Sequence, residues 1–246
     1  LKSGLEKRKR KGSKMRILVI GDTHGDKNNI SNLMAVAISH ECDKIFQVGD
    51  FGYFPNDKDS NSFLDFCSSE IYRSGIPIHF IRGNHDDVVS LNKLGFGIHS
   101  IRENLFYHSD GFVWQWGEKK FVGIGGAFSI DRMYRTEGID WFREEQIPLY
   151  LTEKEIGKVD ILFSHDAPTS SDIDHLLDFR MDIGTIGNRN KLQLICENVR
   201  CSKVIHGHYH KRYECCGRFV DGGRFDILSL GANVNMLSEQ WEILEV

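Results

Sequence analysis

Read as alternating apolar and polar positions, the chain breaks into short apolar runs separated by amphipathic stretches. Residues 16–21 (RILVIG), 44–49 (KIFQVG) and 76–82 (IPIHFIR) have the length and composition of buried strands. Each runs into a polar turn: Gly21-Asp22, Gly49-Asp50 and Gly83-Asn84. Between them, residues 28–40 bring Ile30, Leu33, Met34, Ala37 and Ile38 to one side at helical spacing. Residues 60–74 read as a second helix and 87–94 as a short third, with Asp86 or Asp87 near its start. This βαβαβ pattern predicts a sheet of parallel strands with helices outside. In such sheets the carboxyl ends of the strands share one edge, and ligands bind there.

The second half has a different texture. Residues 112–116 and 120–124 flank Gly117-Glu118, a hairpin signal. Residues 152–157 predict a short helix. Residues 159–163 predict a buried strand that ends in Ser164-His165-Asp166. Residues 189–199 predict a helix, and residues 203–205 a strand ahead of His206-Gly207-His208. The last forty residues alternate like strands around Gly217 and Gly222-Gly223. With no repeat or linker, the expectation is one α/β domain over residues 15–246. The apolar runs fall far short of the ~20 residues that span a bilayer. No secretory leader is legible, so the expected location is cytoplasmic.

Composition adds two points. At 40% hydrophobic residues the chain can bury a core, which excludes disorder as its main state. The net charge of −4 is a sum of unlike parts. Residues 1–16 hold eight Lys/Arg and one acid, leaving −11 on the remainder. The basic start, residues 1–14, reads as an arm or a remnant ahead of Met15, and it is the one feature that favours nucleic acid. The six cysteines form no C-x-x-C pair and read as reduced thiols, with Cys215-Cys216 the only adjacent pair.

The chemistry lies at the strand ends. In order they carry Gly21-Asp22-Thr23-His24-Gly25, Gly49-Asp50, Gly83-Asn84-His85-Asp86, Ser164-His165-Asp166 and Gly207-His208-Tyr209-His210. Six of the eleven histidines fall in or beside these segments. Each residue alone has an ordinary explanation. Asp22 and Asp50 would cap or turn, Asn84 would turn, and His24 or His165 would be a satisfied, partly buried histidine. The ordered set argues instead for one site, because ligating and perturbed groups cluster where function is.

The ordered motifs D-x-H, G-D, G-N-H-D, a lone His and G-H-x-H resemble the calcineurin-like metallophosphoesterase superfamily, from residue 22 to residue 210. The resemblance implies a four-layer α/β/β/α sandwich of two mixed sheets flanked by helices. It implies two divalent ions, manganese first, with iron, zinc or nickel as alternatives. Asp22, His24 and His210 would hold the first ion. Asn84, His165 and His208 would hold the second, and Asp50 would bridge both. Metal-bound hydroxide would attack phosphorus, with His85 as general acid and Asp86 orienting His85. Mixed imidazole and carboxylate donors suit such metals better than calcium or magnesium. With two carboxylates and one hydroxide the site keeps a charge of about +1, which favours an anionic substrate. Asp166 is expected to support a neighbouring ligand. His206 is expected to be structural, since strand alternation turns it away from His208.

The sequence departs from the protein-phosphatase branch. Gly49-Asp50 is followed by Phe51-Gly52-Tyr53, without the Asp-Arg-Gly extension and its phosphate-binding arginine. The Ser164-His165-Asp166-Ala167-Pro168 segment is similar to compact single-domain bacterial and phage members. Arg132 and Arg135, in a Gly- and Arg-rich segment over residues 125–135, are candidates for holding the substrate phosphate. Tyr53, Phe54 and Trp141 are candidates for stacking a base, with packing the simpler role. The expected activity is hydrolysis of phosphomonoesters or phosphodiesters, cyclic nucleotides included. The alternatives are a nuclease of the same superfamily and a non-catalytic scaffold. The expected partner is a phosphorylated small molecule or nucleotide.

Overall fold

Period-two alternation gives each central strand two cores to fill. In β1 (Arg16–Ile20), Leu18 and Ile20 face Ile30, Leu33 and Met34 of helix α1 (Lys27–Ser39), while Ile17 and Val19 face the opposite way. Phe63, Leu64, Cys67 and Ile71 of α2 (Lys58–Ser74) join the first core. The computed structural model describes residues 14–177 and 181–246. Apart from Lys14, the basic arm lies outside the described residues.

Beside β1 stand β2 (Lys44–Gln47) and β3 (Ile78–Phe80). After the short α3 (Val88–Asn92) come β4 (Ile98–Arg102) and β5 (Leu105–His108). A second group comprises β6 (Val113–Trp116), β7 (Lys119–Ile124), β8 (Ile161–Ser164), β9 (Lys203–His206), β10 (Tyr213–Arg218) and β11 (Arg224–Ser229). The chain closes with β12 (Trp241–Glu245). The first sheet runs β12-β1-β2-β3-β5-β4 and the second β10-β11-β9-β8-β7-β6. In each, the four middle strands are parallel and the two edge strands antiparallel.

Ile17, Val19 and Phe46 of the first sheet pack against Phe121, Phe163, Ile205 and Leu228 of the second. The Phe46 and Phe163 rings stack with centroids 4.1 Å apart. Burying each such side chain contributes about 1.5–3 kcal/mol. Beyond the second sheet, Leu192, Ile195 and Val199 of α5 (Ile183–Val199) and Leu151 of α4 (Tyr150–Glu153) cover Val122, Leu162 and Val204. The result is helices, sheet, sheet, helices, as expected. Aspartates 26, 57, 87 and 182 cap α1, α2, α3 and α5, each accepting backbone N–H groups of the first turn.

Three elements differ from the sequence reading. The β4–β5 pair was not expected: β4 is an edge strand, largely exposed, so it shows no apolar alternation. Helix α5 starts at Ile183 rather than 189, in a turn with an exposed Ile183 and two glycines that gives no amphipathic signal. The helix expected over 152–157 is Tyr150–Glu153, anchored by Leu151, and the chain turns extended at Lys154.

Candidate metal centre

Strands β1, β2, β3, β8 and β9 end at one edge, where the two sheets meet. Several hydrogen bonds join the sheets there, two of them through the backbone of one sheet. His165 donates from Nδ1 to the Val48 carbonyl at 3.0 Å, and the His208 amide donates to the Asp22 carboxylate at 3.1 Å. Glycines make the approach possible. A Cβ on Gly83 would lie 2.0 Å from Asp50 Oδ1, and one on Gly207 would lie 2.1 Å from Asp22 Oδ1.

The expected ligands form two groups. One donor atom each from Asp22, His24 and His210 lie within 4.8 Å of one another, as do those of Asp50, His165 and His208. Asn84 Oδ1 stands 2.9 Å from His165 Nε2 in the second group. Asp50 faces both: Oδ2 is 3.4 Å from His24 Nε2, and Oδ1 is 3.3 Å from His165 Nε2. His210 Nε2 is 3.1 Å from Asp22 Oδ2. Among the described residues, seven non-glycine residues hold a left-handed backbone, and four of them are His24, Asp50, His208 and His210. Such strain gathers where side chains must be aimed at a common point.

The electrostatics fit cations. Burial alone would raise Asp50, but His165 and His85 outweigh it and hold its carboxyl well below the usual range. Burial would lower His24 and His165, yet their contacts with Asp50 dominate and lift them to about 10 and about 9. The carboxylates therefore favour positive charge at both places. His208, half-buried beside His165, is lowered to about 4 by desolvation and by the neighbouring His165, which favours the neutral ring with a lone pair to donate.

Two of the expected ligands are fixed from behind. His165 uses Nδ1 on Val48, which leaves Nε2 toward Asp50 and Asn84. His24 Nδ1 lies 2.9 Å from Asn233 Oδ1, which leaves Nε2 toward Asp50. Asn233 was absent from the sequence reading. It follows β11, and its only sequence signal is the small-residue run 231–233 after a strand.

His85 is partly exposed beside the two groups, its ring 5.8 Å from that of His24. Asp86 does not orient it. The Asp86 carboxylate is fully buried and accepts the amides of Phe51, Gly52, Tyr53 and Gly83 at 2.7–3.2 Å. Adjacent residues on a tight turn point opposite ways, and Asp86 serves the loop after Asp50. Burial and the nearby Asp50 charge raise it to about 6. The carboxylate facing His85 is Asp131, with Oδ2 3.9 Å from Nε2.

Asp166 likewise supports no ligand histidine directly. It accepts from Tyr209 Oη, Asn188 Nδ2 and the Ala167 amide, each at 2.7 Å. His206 is buried and bonded to Tyr213 Oη at 2.9 Å, away from both groups, as alternation predicted. Arg135 abuts the site, donating to the Asn84 carbonyl at 3.3 Å. Arg132 lies 4.4 Å over Phe128 and donates to the Ser129 carbonyl. Tyr53 packs in the first core. Cys215 and Cys216 sit on opposite faces of β10.

The model of the family described as calcineurin-like phosphoesterase matches residues 15–212. The chain belongs to that family. It is accordingly a metal-dependent phosphoesterase, a hydrolase, and the family's dinuclear centre agrees with the two groups found here. Two solved structures share the fold. A dimetal phosphatase from Danio rerio aligns with a TM-score of 0.59 at 14% identity, over 95% of this chain and 93% of its own. A protein of Thermus thermophilus aligns with a TM-score of 0.54 at 11% identity, over 95% of this chain and 99% of its own. No curated protein matches the sequence. Among the described residues, no helix is long and apolar enough to cross a membrane.

Proposed function

We propose that this phosphoesterase hydrolyses phosphomonoesters or phosphodiesters, nucleotides among them, with two divalent ions, manganese first. Asp22, His24 and His210 would hold one ion; Asn84, His165 and His208 the other, with Asp50 shared. The single observation carrying this is Asp50, which turns one oxygen to each histidine group. When bound, the ions supply Lewis acidity that activates water and draws in the phosphate oxygens.

The chain's own residues do the rest. The two buried aspartates offset much of the cation charge, leaving a net attraction for an anion. Asn233 and the Val48 carbonyl keep His24 and His165 aimed at Asp50. His85, beside the groups and open to solvent, passes a proton to the departing ester oxygen. Arg135 stands close enough to support the phosphate through its neighbour Asn84.

The test is a panel of monoesters, linear diesters and cyclic diesters, run on stripped protein reloaded with Mn, Fe, Zn or Ni. Turnover is expected only with metal, and Asp50→Asn is expected to abolish it. Full turnover by Asp50→Asn would overturn the reading.

A further inference from the structure

Asn84 poses a problem that its side chain cannot solve alone. A carboxamide offers an oxygen on one side and an N–H pair on the other, and only the oxygen can face a cation. Nothing within the residue decides which side points inward.

The decision comes from the segment after β7. Glu145, almost fully buried, accepts the Ser129 amide at Oε1 and the Ser129 hydroxyl at Oε2, both at 2.8 Å. A carboxylate only accepts, so the single hydroxyl hydrogen of Ser129 is committed to it. Ser129 Oγ then has only lone pairs left. Arg135 Nη1 donates to one at 2.8 Å. The other meets the Asn84 amide 2.9 Å away. Whatever Asn84 presents there must be a donor, so its nitrogen faces Ser129 and its Oδ1 faces His165 Nε2. The hydroxyl is fully used, with one bond donated and two accepted, and all of it is buried.

We infer that Ser129, oriented by Glu145, is a positioning residue that holds the Asn84 amide oxygen toward the second group and sets that group's metal affinity. The inference rests on the dinuclear reading above. Arg135, considered from sequence as a phosphate ligand, also donates to this hydroxyl.

The experiment is a titration of stripped protein with Mn²⁺, followed by calorimetry and by electron paramagnetic resonance. Wild-type protein should take up two equivalents. Ser129→Ala should keep one and bind the other about 10- to 100-fold more weakly, the usual cost of losing a group that orients a ligand. Ser129→Thr, which keeps the hydroxyl, should restore it. In an Asn84→Asp background both faces carry oxygen, so Ser129→Ala should change Mn²⁺ affinity less than about twofold. Wild type that binds no metal overturns the dinuclear reading and this inference with it. Wild type and Ser129→Ala binding two equivalents alike overturn the inference alone. An equal loss in the Asn84→Asp background also overturns it, since it makes Ser129 mere packing. Far-UV circular dichroism separates a misfolded variant, which would lose both equivalents.

Discussion

Tyr209 donates its hydroxyl to the buried carboxylate of Asp166 at 2.7 Å, tying the loop that carries His208 to the loop that carries His165. Hydrogen bonds to a charged acceptor are worth about 1.5–3 kcal/mol. Tyr209→Phe should lower the unfolding free energy by about that much. Urea denaturation reads it directly, and an unmoved midpoint would show that the bond contributes nothing.

Neighbouring residues His85 and Asp86 should behave as opposites. Asp86 satisfies four backbone amides, so Asp86→Asn inserts a donor among donors and should cost about 3 kcal/mol or more. His85→Ala, at a partly exposed position, should stay within about 0.5 kcal/mol of wild type. Its effect should be on turnover, slowed about 100- to 10,000-fold for poor leaving groups and less for nitrophenyl esters. Equal losses on both ester types would take the proton-donor role away from His85.

His79 and His108 make an acid-sensitive pair outside the centre. They share a hydrogen bond of 2.9 Å, and burial, with neighbouring positive charge from Lys44 and, for His79, from His108, lowers them to about 2 and about 3. Their ordinary value is 6.5, so below that pH the unfolded chain takes up protons that the folded chain refuses. The contribution of this pair is therefore fully present above pH 6.5 and is lost on acidification toward about 3, each group contributing up to about 1.4 kcal/mol per pH unit. Urea midpoints at pH 6.5, 5.5 and 4.5 should decline in that order. His108→Gln, which keeps a partner for His79 but does not titrate, should flatten the decline by about one proton.

Metal uptake should release protons. In the ion-free site His24 and His165 are raised to about 10 and about 9 and are protonated at neutral pH. An incoming cation displaces those protons, so apparent affinity should climb with pH until those values are passed. Calorimetric titrations in buffers of different ionisation enthalpy would count the released protons. A count of zero at pH 7 would contradict the raised values.

Much of the centre was legible because strand ends are where parallel sheets place ligands. Asp22, His24, Asp50, Asn84, His165, His208 and His210 each follow an apolar run, and one edge collects them. The aim of Asp86 was not legible, since two adjacent residues on a turn differ by a rotation no pattern encodes. Asn233 escaped notice because it lies 209 residues from His24 and carries no motif. The serine that settles Asn84 was hidden among arginines that drew attention by their charge. The β4–β5 pair was missed because an exposed edge strand has no core to write its alternation.

The two groups also straddle the seam between the sheets. Each draws partners from both: Asp22 and His24 follow β1 while His210 follows β9, and Asp50 follows β2 while His165 follows β8. Apolar layers such as Phe46 on Phe163 hold sheets together but resist sliding only weakly, because dispersion is not directional. Cations seated in both groups would act as dowels through that joint. Their removal should loosen the loops that meet at that joint, which amide hydrogen exchange after β1, β2, β8 and β9 would register.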